Sequence, residues 1–322
     1  MPYKKFDRSK LIIYPLSDRE NLMNRSDLIY PDSPRKPFEH EAIPVLAQKI
    51  VDAFRKGAAV LFSCGAHVIK TGNSPLLVDL IERRIISHLA LNGACVIHDF
   101  EMALTGGTSE SVSNYIRTGK FGLWKETGRI NDAVNEAYRN NKHTGFGEAV
   151  GRMIEEEKFP YRDTSVLAAG IRSGVPVTVH VCIGQDIIHE HPNFDGAATG
   201  AASYTDFLIY TQSIMNLEEG IFINLGSAVM GPEVYLKALS MARNAAKQKG
   251  KKICHFTTAV FDLQNPGDDL YSEAPKNDPR YYFRPYKTIL VRTVSDGGKS
   301  YYVRGEHQLT IPKLYDEIME RI

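Results

Sequence analysis

The chain has 322 residues, 43% hydrophobic and 24% charged, which suffices for a large α/β core and excludes extended disorder. Its 39 lysines and arginines nearly balance 38 aspartates and glutamates, and no basic block or aromatic-basic stripe occurs, so nucleic acid is not an expected partner. The four cysteines form no CxxC pair, and neither an apolar leader nor an apolar run of about 20 residues is present, so the expectation is a cytoplasmic chain with free thiols and no membrane partner.

In chain order, residues 1–41 are rich in Pro, Asp and Arg ("YPDSPRKPFEH") and read as an extended arm, of a kind that often packs on another subunit. From residue 42 helices alternate with short apolar runs. "AIPVLAQKIVDAFRKG" has helical spacing and ends on Gly57; "AAVLFSCG" is a buried strand; "SPLLVDLIERRI" is a helix with a Ser-Pro start; "SHLALNGACVIHDF" supplies another strand and a turn. A helical insertion over about 129–174 follows. The alternation resumes with strand "VPVTVHVCIG", a helix through "YTDFLIYTQSIMN", strand "GIFINLGSA", helix "PEVYLKALSMARNAAKQKG" and strand "KKICHFTTAVFD". "YKTILVRTV", the turn "DGGK" and "SYYVRGEH" read as a hairpin before a last helix from about residue 310. Near-continuous apolar strands separated by helices predict one domain over 42–322: a Rossmann-like, doubly wound, mainly parallel sheet with helices on both faces.

In such sheets ligands bind beyond the carboxyl ends of the strands. The residues there are small or polar: "SCGAHVIKTG", "NGACVIHDFE", "GQDIIHEHPNFDGAATG", "LGSAVMG" and "TTAVFD". Gly and Ala permit close backbone approach and Ser, Thr, Asn and Asp supply hydrogen bonds, a setting that suits phosphates and ribose. Neither GxGxxG after the first strand nor GxxxxGKS is present, so small residues that merely end strands are the competing reading.

Other stretches have two readings each. His189, His191 and Asp195 have the donor types of a divalent-metal site, as in a metal-dependent hydrolase, or are ordinary hydrogen-bonding loop groups. Asp99 and Glu101, beside His98, belong to a site or cap a helix. Trp124, in "FGLWKETG", lies in a lid or a packed loop. Lys287, in "RYYFRPYKTIL", is crowded by aromatic rings: it is a desolvated amine nucleophile or a strand-edge lysine with its stem over the rings.

Taken together, these stretches resemble deoxyhypusine synthase from about residue 42 to the end. "CGAHVIKTG" is similar to a "TSN…SSG" element, "LNGACVIHDF" to "TTAGGIEEDF", "GSAV" (226–229) to "GGGV", "TTA" (257–259) to "NTA", and "VRGEHQLTIP" (303–312) to "VYADASLVFP". The order of these motifs is more specific than any one of them. The resemblance implies an NAD-dependent aminoalkyl transferase: NAD oxidises spermidine or a related amine, a lysine holds the fragment as an imine, and an acceptor amine, such as a protein lysine, receives it. It also implies a homotetramer, a dimer of dimers with sites between subunits. The family's nucleophile, in "WGK", falls on Lys287, and Asp186 falls on an acidic residue of its amine pocket. His67, Thr71, Asn92, Gly93, Gly226, Ser227, Thr258, Ala259, Asp262, Glu306 and His307 fall at NAD-binding positions. His98 stands where the family has glutamate, and is taken as a third catalytic residue.

The departures bear on the substrate. Pro285 replaces the tryptophan beside the nucleophile, Pro232 a histidine, and "FDLQNPGDDLYSEAPKNDPR" an acidic loop, where Asp268, Asp269 and Glu273 would have to supply carboxylates for a polyamine. A homologue that binds nucleotide without turnover is therefore the alternative.

Overall fold

The apolar runs pair as expected. In the computed structural model, which describes residues 2–322, six parallel strands form one sheet: β1 (Val60–Cys64), β2 (His88–Asn92), β3 (Val177–His180), β4 (Ile221–Leu225), β5 (Thr257–Asp262) and β6 (Lys299–Arg304). Their spatial order is β3-β2-β1-β4-β5-β6, all neighbours parallel. This is the 3-2-1-4-5-6 order of a dinucleotide-binding sheet, whose direction of winding reverses between β1 and β4. Both central strands are buried along their whole length, which is why they read as uninterrupted apolar sequence.

Helices cover both faces. They are α1 (Ala42–Arg55), α2 (Ala66–Lys70), α3 (Ser74–Glu82), α4 (Gly93–Thr105), α5 (Val112–Thr118), α6 (Arg129–Asn140), α7 (Phe146–Glu156), α8 (Val166–Ser173), α9 (Gly196–Ile214), α10 (Met230–Gln248) and α11 (His307–Met319). In α1 the apolar spacing buries Ile43, Leu46, Ala47, Ile50 and Val51 completely, each Leu or Ile worth about 1.5–3 kcal/mol. Helices α6, α7 and α8 occupy the stretch read as a helical insertion. Among the described residues no helix is long and apolar enough to cross a membrane.

Three local expectations change. "GACVIHDFE" is not a turn but the start of α4, because Gly93 follows Asn92, whose side-chain oxygen accepts from Cys95 N at 2.9 Å and caps the helix. Asp99 and Glu101 therefore lie inside α4. Asp99 caps a different helix, accepting from Ser165 Oγ and from Val166 N at 2.9 Å at the start of α8. At the C-terminal end there is no hairpin: Pro285–Arg292 is a π-helix, and only β6 is a strand, pairing parallel with β5. Pro285 cannot donate to a ladder but suits a helical first turn. The hydroxyls of Thr258 and Ser300 donate to the carbonyls of Ile289 and Leu290 (2.9 and 2.8 Å) and dock the π-helix on β5 and β6.

The N-terminal arm packs on its own chain. Tyr14 bridges to Trp124, Met23–Asn24 pair antiparallel with Gly107–Thr108, and Arg19 reaches Glu101 on α4. Trp124 is fully buried, with Nε1 donating to Glu110 at 2.9 Å, which makes it a packed residue rather than a lid.

Candidate active site at the carboxyl edge of the sheet

At the reversal point the loops after β1 and β4 touch: Gly65 N donates to Leu225 O at 2.9 Å. Gly226 there has φ +61°, and a Cβ on it would lie 2.2 Å from His307 Nε2, so only glycine fits. His307, in the first turn of α11, is driven down to about 4, first by burial, with Asp262 raising it and His67 lowering it. Its Nδ1 is buried without a hydrogen-bond partner. Ser227 is buried and accepts from Gly231 N at 2.8 Å, and Asp262 ends β5 with its carboxylate on Leu263 N (2.7 Å) and Gln264 N (3.1 Å). Glu306 is exposed beside His307. Thr71 Oγ1 donates to His67 O at 2.5 Å in the loop after β1.

His67, Asn92, Gly226, Ser227, Asp262 and His307 share one edge at the reversal point, where doubly wound sheets take their ligands, and the orphaned His307 Nδ1 is a free polar group there. Two expected cofactor residues are not there. Thr258 is near the amino end of β5, opposite Phe222, and Ala259 is fully buried within the strand. The "TTA" motif opens its strand rather than following it, so both residues serve packing and the π-helix.

Beside this edge, among the segments that follow β2 and β3, lies a cavity of about 200 Å³ lined by His98, Asp186, Glu101, Glu110, Lys70 and Arg19, with Ile97, Val112, Phe121 and Ile187 as apolar walls. His98 and Asp186 are thus brought together. A Cβ on Gly93 would lie 2.1 Å from Asp186 Oδ2, so the glycine that opens α4 also admits the carboxylate. Burial alone raises Asp186 to about 6. His98, held by Thr108 Oγ1 at 2.9 Å, is pushed down to about 4, chiefly by burial, and is neutral at pH 7. Glu110 is raised, first by burial, although Trp124 and Gly122 donate to it. Glu190 is raised as well, by burial and then by Glu110. Glu101 is neutralised: Arg19 donates to both its oxygens (2.9 and 2.8 Å), and Thr108 and Thr127 complete its shell. Chemically, the cavity combines apolar walls with the desolvated carboxylates of Asp186 and Glu110 and a neutral imidazole; of its two cations Arg19 is spent on Glu101, which leaves Lys70, and the carboxylates suit an organic cation.

Lys287 does not line this cavity. It is on the π-helix against β5 and β6, its ammonium 4.1 Å over the Tyr281 ring. The cavity's own lysine is Lys70, at the end of α2, which sequence reasoning passed over. Glu110 and Arg19 were missed too; the acidic residue after "TGGTS" was the available signal. The carboxylates sought in the loop before Lys287 are engaged elsewhere: Glu273 pairs with Arg292, and Asp269 caps a turn through Tyr271 N and Ser272 N.

The alternative metal set is not assembled. His189 Nδ1 accepts from Gly184 N and Asp186 N (both 3.1 Å), His191 Nε2 is 2.8 Å from Gly122 O, and Asp195 caps α9 through Ala197 N and Ala198 N. His189 Nδ1 is turned to its own loop, His191 to Gly122 on another and Asp195 to α9, so the alternative of a metal-dependent hydrolase finds no assembled donor set there among the described residues.

Scans against protein-family models and against curated proteins find no match. Solved structures do match. A protein of Methanococcus maripaludis S2 ascribed to the LOR/SDH group shares 15% identity at TM-score 0.53, over 99% of this chain and 75% of its own. AgrE, in a ternary complex with ornithine and NAD+, shares 15% identity at TM-score 0.51, over 89% of this chain and 34% of its own. ArgZ, an arginine dihydrolase from the ornithine-ammonia cycle in cyanobacteria, shares 14% at TM-score 0.52, again over 89% of this chain; this chain spans only about a third of ArgZ and AgrE (34% each). A structure from Entamoeba histolytica ascribed to deoxyhypusine synthase is also matched, with 9% identity and TM-score 0.46 over 82% of this chain and 76% of its own. The chain thus has the doubly wound parallel fold that the order of its motifs implied, the fold it shares with the Methanococcus protein and with part of AgrE.

Proposed function

We propose that this protein is an NAD-dependent enzyme of deoxyhypusine synthase type that oxidises an amine, spermidine or a related polyamine, held in the cavity lined by His98 and Asp186. The observation that carries the reading is Asp186: a carboxylate desolvated to about 6 in an apolar slot, beside the edge of the reversal point. A buried unpaired carboxylate is costly unless a cation completes it, and a protonated amine is such a cation.

NAD, when bound, supplies the acceptor for the hydride that leaves the carbon next to the amine nitrogen. Asp186 and Glu110 hold the distal ammonium, and the apolar walls of Ile97 and Phe121 exclude water from the carbon chain. His98, neutral at pH 7, takes the proton that the reacting ammonium must lose before its carbon can give up hydride. A neutral lysine then attacks the imine carbon and displaces the departing amine. Lys287 fills this role on the resemblance, and since it lies away from the cavity of its own chain, it would reach the amine from a neighbouring subunit of the proposed homotetramer. Transfer to an acceptor amine, such as a protein lysine, displaces the lysine and leaves an imine on the acceptor, which would take back the hydride from the reduced nicotinamide to give the aminoalkyl product.

The test is borohydride reduction of the protein with NAD and spermidine, followed by peptide mass mapping. An adduct on Lys287 is expected. An adduct on Lys70 keeps the chemistry and relocates the nucleophile; no adduct in the presence of bound NAD removes the covalent step. One observation favours a second reading, a nucleotide-binding homologue without turnover: Lys287 stands apart from the cavity. Under it NAD binds and neither adduct nor reduced nicotinamide forms.

A further inference from the structure

At the opposite, amino end of the strands, two loops bring three unlike donors together. Glu218 precedes β4, and Cys254 and His255 precede β5. Glu218 Oε1 is 2.8 Å from His255 Nδ1, Cys254 Sγ is 3.4 Å from that nitrogen, and the three donor atoms lie within 4.8 Å of one another. Among the described residues this is the one group of His, Cys, Asp and Glu donors close enough to share an ion.

We propose that Glu218, Cys254 and His255 bind a thiophilic divalent cation of the zinc class, with a solvent molecule as fourth ligand. A tetrahedral zinc with bonds of about 2.0–2.3 Å holds its donors roughly 3.3–3.6 Å apart. The carboxylate–imidazole separation is that of a hydrogen bond whose proton a metal would replace, and Cys254 Sγ, 3.4 Å from the same nitrogen, needs only a side-chain rotation to join them. The frame is preorganised. Glu218 Oε2 accepts from Cys254 N (2.6 Å) and His255 N (3.1 Å), which fixes the carboxylate and leaves Oε1 for the ion. Gly297 packs against the His255 ring, since a Cβ there would lie 3.0 Å from Cδ2.

A catalytic thiol relay is the competing use of these residues, and the geometry disfavours it. A relay needs one ring nitrogen for the thiol and the other for the carboxylate. Here Nδ1 faces both, and Sγ lies over the ring, 3.4 and 3.9 Å from its two nitrogens, so a rotation of the Cys254 side chain is what brings sulfur to the ion. Thiolate and imidazole together select zinc over calcium or magnesium. Of the three donors His255 lines a surface cavity with Thr257, Phe256 and Gly297, and an ion would enter from its exposed side chain; Cys254 is buried behind it, and the nearby Glu219 is already paired with Lys56. Bound there, the ion staples the loops entering β4 and β5, far from the carboxyl edge; it acts on stability rather than on the amine.

Cobalt(II) titration of the full chain, read by thiolate-to-cobalt charge-transfer absorption, tests this, with thermal denaturation with and without zinc as the second readout. One equivalent of cobalt with a charge-transfer band, displaced by zinc, and a zinc-dependent rise in Tm are expected. Cys254→Ser should abolish the band, and His255→Gln, at a side chain 68% exposed and safe for folding, should weaken binding at least about tenfold. Cys182→Ser, at the exposed cysteine, should change neither. No saturable band, or a band lost in Cys182→Ser and kept in Cys254→Ser, overturns the proposal.

Discussion

Replacing Asp186 by Asn removes a charge and little else, since the side chains are isosteric. In the folded chain the carboxyl titrates near 6 rather than at its ordinary 3.8, because burial disfavours the anion. Between those values the folded state holds a proton that the unfolded state has lost, so stability falls as pH rises through this window and stays lower above it. Asp186→Asn deletes that penalty, and its Tm at pH 8 should equal or exceed that of the parent. Function should move the other way. A charge-assisted contact to an ammonium in a desolvated slot is worth about 1.5–3 kcal/mol, so spermidine affinity should drop on the order of ten- to a hundred-fold. Isothermal titration calorimetry across pH 5 to 8 is the assay. The parent should lose affinity as pH falls through about 6, where Asp186 takes up its proton, and the variant should show no such inflection. A variant that binds within about twofold of the parent, with the same inflection, refutes the role given to Asp186.

Further outcomes follow from other residues. Gly226→Ala places a Cβ 2.2 Å from His307 at φ +61°, so it should cost about 1–3 kcal/mol of stability in urea denaturation and abolish NAD binding by fluorescence titration. Arg19→Met strands Glu101, both side chains being 1% exposed, and should destabilise by about 3–5 kcal/mol, whereas the double change with Glu101→Leu should recover most of the loss. Asp206 is fully buried and raised to about 7 by burial, so stability should decline between pH 4 and 7; Asp206→Asn, whose amide oxygen still accepts from Gly147 N and Val179 N, should flatten that slope. His88 and His180 are held down at about 3 by burial; each takes up a proton on unfolding below about 6.5, so acid should unfold the chain progressively from that pH downward, and a His88→Gln variant should unfold less steeply with pH.

The sheet was legible because β1 and β4 are buried on both faces, which writes them as apolar runs whatever surrounds them. Helix α4 was half hidden, because its His98, Asp99 and Glu101 are polar residues turned inward, paired with Thr108, Ser165 and Arg19 from other elements. The π-helix was misread, because the apolar, mainly β-branched run "ILV" ahead of the "DGGK" turn suggests a hairpin, although Tyr286, Ile289, Leu290 and Val294 have helical spacing and Thr258 and Ser300 dock the segment as a helix. At the site, glycines and histidines were legible because they follow the strands, where a doubly wound sheet takes its ligands. Arg19, Lys70 and Glu110 did not, since the contact that gives Arg19 its meaning spans 82 residues, and charged residues near loops are ordinary until a fold encloses them.

The most direct measurement is the formation of reduced nicotinamide by the purified protein with NAD and spermidine, with putrescine as a second amine. Amine-dependent reduction that Asp186→Asn suppresses at least tenfold, without loss of NAD binding, is the predicted result. NAD bound tightly with no reduction by either amine would contradict the account and leave the crevice as a nucleotide-binding site alone.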